Sequence, residues 1–210
     1  KFSAEGLQYL FTMSIPHQEK LTLRILAVTG FRLEEAASLR WEDIKLGQGV
    51  SYFDLTDPTK ILKTVNSHRR IPIHNDLMPY IEQHRELTGG EGNLFIYSPN
   101  KDGKVSSHAS KKLTIYTRQC RDATKTTLSV HSIRHTVDTL MHRTGMEDST
   151  RKYLMGHEMD PNDKTYLDVE DALQLLKEAV DKIDVSYLHG NKILTYSHPT
   201  GIAPNGIQNS

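Results

Sequence analysis

The chain has 210 residues, with 26 Lys and Arg against 26 Asp and Glu, 11 His and a single cysteine, Cys120. That length can bury a sizeable core, one Cys excludes a disulfide framework or a Cys-cluster zinc site, and no apolar run reaches the roughly 18–20 residues of a membrane span. A formal charge of zero stands, on its face, against a nucleic-acid binder, which usually carries a basic excess.

Helical signals dominate the chain. Ser3 reads as the cap of a first helix through Leu7, Leu10 and Phe11 that ends near Pro16. Residues 18–29 put Leu21, Ile25 and Val28 on one face until Gly30 breaks the run, and Leu33, Ala36, Ala37 and Leu39 carry a second period to Trp41. From Ile44 to Ile73 the pattern changes to short β-prone pieces at 50–55, 60–65 and 69–73, separated by Asp57-Pro58 and Asn66-Ser67. Helices resume at 75–87, 106–122, 131–144, 148–155 and 170–183. From His189 onward Gly and Pro predict an extended tail, with 192–196 its strand candidate. No signal-peptide pattern opens the chain, and the opening at Lys1, rather than Met, reads as a piece of a longer protein. The expected fold class is α+β: mainly α-helical, with one small antiparallel β-sheet.

The neutral charge is a sum of opposed parts. Residues 101–134 hold eight bases against two acids, and residues 158–184 hold nine acids against three bases. Such separation suits a basic face for a polyanion, with the acids carried elsewhere; solvated helix faces of differing sign would give the same count.

Four clusters carry candidate chemistry. In Thr29-Gly30-Phe31-Arg32-Leu33-Glu34-Glu35, Gly30 permits a sharp turn and Arg32 stands at a helix start, where free N–H groups favour anions. A surface pair of Arg32 with Glu35 at i+3 is the plainer reading. The second cluster, from Leu62-Lys63-Thr64 to His68-Arg69-Arg70-Ile71-Pro72, reads as a hairpin with Lys63 on one strand and Arg69 on the return. In His131-Ser132-Ile133-Arg134-His135-Thr136 the i, i+3 spacing puts His131 and Arg134 on one helix face, where both can reach one phosphate. His131 and His135 at i, i+4 could instead chelate zinc, although the Glu of a His-Glu-x-x-His pattern and a clear third ligand are missing. The fourth is Leu154-Met155-Gly156-His157, followed nine residues later by Tyr166. A phenol with an ordinary pKa of about 10 is protonated at neutral pH and needs strong help to attack anything.

In order and spacing this set resembles the catalytic domain of the tyrosine recombinases, the phage-integrase family of site-specific DNA recombinases. The resemblance covers roughly residues 3–185. It implies Arg32, Lys63, His131, Arg134 and His157 as activating residues, Tyr166 as nucleophile, and Glu35 and His135 as supporting residues. The reaction it implies is phosphoryl transfer on DNA through a 3′-phosphotyrosyl link, without metal or nucleotide cofactor. Lys63 would be the general acid for the leaving 5′-oxygen and His131 the base or orienting group for Tyr166. Arg69, Lys111, Lys112, Arg118, Arg121 and Lys125 are the candidate DNA-binding residues.

The same resemblance implies a catalytic domain over 1–185 and a tail over 186–210 that could pass to a partner protomer. The implied partners are double-stranded DNA with a recombination site, further copies in a synaptic tetramer, and accessory DNA-bending proteins, in the cytoplasm of a bacterial or archaeal host. Two features depart from the family pattern: Asp138 follows the second His closely, and Asp160, Asp163 and Asp168 crowd Tyr166. A type IB topoisomerase shares the chemistry but relaxes supercoils. A DNA-binding module with a decayed site and a metal-dependent hydrolase are the readings from other classes.

Overall fold

The computed structural model of the chain describes residues 4–47, 49–167 and 172–190. Ser3 and the 192–196 segment lie outside them. Helix α1 (Ala4–Thr12) buries Leu7, Leu10 and Phe11. Helix α2 (His17–Thr29) is the axis of the domain: Leu21, Leu23, Ile25, Leu26, Ala27 and Val28 are all enclosed. Each such aliphatic side chain contributes about 1.5–3 kcal/mol when fully buried, so α2 must be covered on nearly every side. The covering elements are α3 (Leu33–Ala37), α5 (Ser106–Thr124) and α6 (Val130–Arg143).

The sheet has three antiparallel strands in sequence order: β1 (Ile44–Lys45), β2 (Tyr52–Asp54) and β3 (Arg70–Pro72). Ile44 pairs with Phe53, and Phe53 with Ile71, so one apolar row faces the core. This corrects the expected hairpin. Residues 60–65 form no strand, and β1 takes the third place in the sheet. Local side chains outbid the ladder: the Asp57 carboxylate accepts from the Thr59 N–H and hydroxyl (2.8 and 2.7 Å), and the Lys60 ammonium is buried against Asp43 at 2.5 Å. Lys63 therefore sits in a bend, just before a single 3-10 turn over Val65–Ser67.

The later helices follow the sequence periods closely. They are α4 (Met78–Thr88), α5, α6, α7 (Asp148–Met155) and α9 (Ala172–Asp181). One helix has no apolar period to announce it. In α8 (Pro161–Leu167) only Leu167 is buried, yet the helix carries Tyr166. Its readable signal is Asp160-Pro161: proline fits a first helical turn, and the Asp160 carboxylate accepts the Asn162 N–H at 2.8 Å. That contact turns one of the crowding acids into a helix cap.

The folded body also runs past residue 185. Ser186–His189 form a 3-10 turn against α1. Tyr187 is buried, stacks on Phe11 and donates its hydroxyl to Ala27 O at 2.6 Å. Residues 186–190 thus belong to the domain rather than to an extended tail.

Candidate active site

The site is organised by the C-terminal end of α7. The last carbonyls of a helix lack intrahelical partners and lie at its negative pole. Here three successive ones each accept from a different arginine. Leu154 O takes Arg69 Nε (3.1 Å), Met155 O takes Arg134 Nη2, and Gly156 O takes Arg32 Nη2 (3.0 Å). Gly156 ends α7 in the left-handed conformation at φ 63°. A Cβ there would lie 2.7 Å from the Arg69 guanidinium and 3.1 Å from that of Arg32, so the glycine of the Leu-x-Gly-His motif is required both by backbone and by close approach.

Arg32 is tied further by its own helix start. The Glu35 carboxylate accepts the Arg32 backbone N–H at 2.9 Å and the guanidinium at 3.1 Å. Ser67 Oγ, from the turn after Lys63, accepts the same Nη1 at 3.2 Å. The pairing of Arg32 with Glu35 is thus real, and only the carboxylate is fully enclosed: Arg32 keeps 24% of its side chain exposed against 1% for Glu35. Burial alone would push Glu35 up, but Arg69 and then Arg32 hold its carboxyl below the ordinary range.

Arg134 reaches back from α6 to Gly30 O at 2.6 Å, the carbonyl at the αL turn that closes α2. Burial, then the nearby Arg32 charge, lowers its pKa to about 10, which leaves it cationic at neutral pH. Asp138, one turn further along α6, turns to α7 and pairs with Arg151 at 2.5 Å. That departure from the family pattern is a clamp between the two helices. His157, next to the carbonyl that holds Arg32, is pushed below the ordinary imidazole value by burial and then by the Arg134 charge. Both effects favour its neutral form.

Arg32, Lys63, His131 and Arg134 line one cleft of about 330 Å³ together with Phe31, Leu33, Ser110 and Val130. Four of the residues singled out in the sequence thus meet across three separate segments. His131 and His135 stand with their Nε2 atoms 3.2 Å apart on the exposed face of α6, and among the described residues no group of three metal-ligating side chains forms around them. Tyr166 is 68% exposed and is not part of the cleft lining. Its helix is fastened to the Lys63 turn instead, through Lys164 Nζ to Val65 O at 3.3 Å.

One expected DNA contact is overturned. Arg69 has no exposed surface: its Nη1 and Nη2 each lie 3.2 Å from a Glu35 oxygen, and Ser67 O accepts Nη1 at 2.9 Å. Pulling it out would take from the buried Glu35 carboxylate the guanidinium that meets both its oxygens, leaving Arg32 to balance that charge. The sequence offered no sign of this, because the partners lie 34 and 85 residues away. Lys111, Lys112, Arg118 and Arg121 are exposed on α5, and Lys125 is exposed at its end. Glu34 fixes the start of that helix by accepting the Val105 and Ser106 N–H groups (3.1 and 2.8 Å). Ser110 of α5 reaches the cleft, Lys111 and Lys112 turn to other faces of the helix, and Arg121 stands about 16 Å further along it.

Comparison with known proteins assigns the family. The model of the phage integrase family matches residues 6–172. A "Tyrosine recombinase XerC-like" protein of Caldanaerobacter subterraneus is 26% identical over 182 residues, covering 74% of this chain and 46% of the relative. The "ICEBs1 integrase" of Bacillus subtilis is 26% identical over 192 residues, covering 83% of this chain and 51% of the relative. The chain thus spans about half the length of these curated relatives. Among solved structures, the integrase from mycobacterium phage Brujita superposes with a TM-score of 0.66 at 16% identity, over 90% of this chain and 62% of that one. With the family model covering most of its length, the chain belongs to the phage integrase family.

Proposed function

We propose that this chain is the DNA-cleaving catalytic part of a site-specific recombinase. The observation that carries the reading is the cleft itself: Arg32 and Arg134, each fixed by carbonyls and open on one side, share it with Lys63 and His131. Arg32 and Arg69 share one carboxylate, Glu35, and Arg134 nearby is held by carbonyls alone, which leaves a surplus of two positive charges. Attack on a phosphodiester builds a doubly negative phosphorane, and preoriented donors aimed at that charge are usually the largest catalytic contribution. Guanidinium suits the role because it stays charged and offers paired N–H donors.

In this mechanism the Tyr166 Oη attacks the scissile phosphorus and its proton passes towards His131. The P–O5′ bond breaks, and Lys63 protonates the leaving 5′-oxygen. His157 donates a further hydrogen bond to a non-bridging oxygen. The phosphotyrosyl bond conserves the energy of the phosphodiester, so a 5′-hydroxyl reverses the step and rejoins the strand without ATP. Lys111 and Lys112 offer contacts to the flanking backbone. Because Tyr166 lies outside the cleft lining, bound duplex is what brings the scissile phosphate and the phenol together. The partner is therefore double-stranded DNA carrying a recombination site, with further copies of the chain completing strand exchange.

A suicide duplex carrying the candidate attachment site tests the reading. Wild-type protein should form a DNA adduct that survives denaturing electrophoresis, mapping to Tyr166. Tyr166→Phe should form none while binding duplex within about twofold of wild type, since only the attacking oxygen is lost. An adduct on the Tyr166→Phe protein removes Tyr166 as nucleophile.

A further inference from the structure

We propose that Arg69 is a positioning residue for the phosphate site, acting through Glu35 on Arg32 without touching DNA. The inference rests on the function proposed above. Arg69 is a charged side chain with no exposed surface, and its donors are spent on three segments. They reach Glu35 at the start of α3, Ser67 O in the turn after Lys63, and Leu154 O at the end of α7. The Phe31 ring closes one side, with its centroid 5.5 Å from Arg69 Cζ.

Glu35 shows what this arrangement achieves. Oε1 accepts from Arg69 Nη1 and Arg32 Nη1, and Oε2 from Arg69 Nη2 and the Arg32 backbone N–H. Arg69 thus aims the carboxylate that in turn aims Arg32. It also shares the carboxylate's charge. With Arg69 gone, Glu35 would pair with Arg32 alone, cancelling the charge that the cleft offers to phosphate and drawing its guanidinium inwards. Lysine cannot reproduce this, because a single ammonium lacks the fork that meets both carboxylate oxygens.

The test compares full-length wild type, Arg69→Gln and Arg69→Lys on three suicide duplexes of one sequence. The scissile group is a phosphodiester, a methylphosphonate or a 5′-phosphorothiolate. The methylphosphonate lacks the non-bridging charge that Arg32 neutralises; the phosphorothiolate has a sulfur leaving group that needs no proton from Lys63. Arg69→Gln should cleave the phosphodiester about 100-fold more slowly than wild type, but the methylphosphonate within about threefold of it. Arg69→Lys should show the same pattern with a smaller defect. Because it retains the buried positive charge, it carries the test if Arg69→Gln does not fold. Equal defects on all three duplexes would make Arg69 purely structural and overturn the proposal. Rescue by the phosphorothiolate alone would overturn it in favour of the Lys63 turn, reached through Ser67. Wild type that forms no adduct on any duplex overturns the recombinase reading itself, and this one with it, whereas an active wild type with equal variant defects overturns Arg69 alone.

Discussion

Arg32, Arg69 and Arg134 are held by carbonyls and a carboxylate inside the domain, whereas Lys63 and Tyr166 stand exposed on a bend and on a short helix. Neither Lys63 nor Tyr166 makes a side-chain hydrogen bond or ion pair among the described residues. Under the proposed function the contrast separates two jobs. Groups that stabilise charge work best when oriented before the ligand arrives, because reorganisation then costs nothing during the reaction. Groups that move a proton or form a bond must meet the DNA itself, and their final geometry can be set by the complex.

The largest blow to the buried half should come from Gly156→Ala. The left-handed backbone alone costs about 1–2 kcal/mol for an L-residue, and the new Cβ would overlap both guanidinium groups. Because three arginines depend on that helix end, cleavage should fall by about 100-fold or more along with the melting temperature. Normal cleavage by a folded Gly156→Ala protein would break the link between helix end and chemistry.

On the exposed half, Lys63→Ala should behave oppositely. Cleavage of ordinary DNA should slow by about 100-fold with the melting temperature unchanged, and a 5′-phosphorothiolate should restore most of the rate. A defect of equal size on both substrates would take Lys63 out of the general-acid role.

The smallest effect expected is one of pH on stability. Glu35 has a folded pKa below its ordinary value, so the stability it contributes is fully present above that value and is lost as pH falls through the depressed one. Melting temperatures of wild type and Glu35→Gln should differ most near neutrality and converge in acid. A gap that persists at the lowest pH would show that shape, rather than charge, holds Glu35 in place.

Much of the site was legible because its chemistry is local. Arg32 with Glu35, and His131 with Arg134, are spaced one helical turn apart, and the structure keeps each pair on its own element. The helices over 106–122 and 131–144 were equally legible from apolar period, because both cover α2, and 148–155 was legible because α7 packs on α6. The failures have physical causes too. Helix α8 buries only Leu167, so it has no period to read. The stretch 60–65 is rich enough in β-prone residues to pass for a strand, but the buried pair of Lys60 with Asp43 and the Asp57 turn commit its backbone elsewhere.

The order and identity of the proposed reacting groups, and their suitability for a phosphate, are properties of the sequence by itself. Tertiary structure decided which arginine serves which purpose. Arg69 and Arg134 are the same residue type, and both reach carbonyls at the end of α7, yet one is sealed against Glu35 and the other lines the cleft. The local sequence marks Arg134 through the His131-x-x-Arg134 spacing, but gives no sign that Arg69 is buried. The partners that bury or expose each guanidinium come from the start of α3, the close of α2 and the end of α7, and the cost of desolvating a charge is set only once those segments have met.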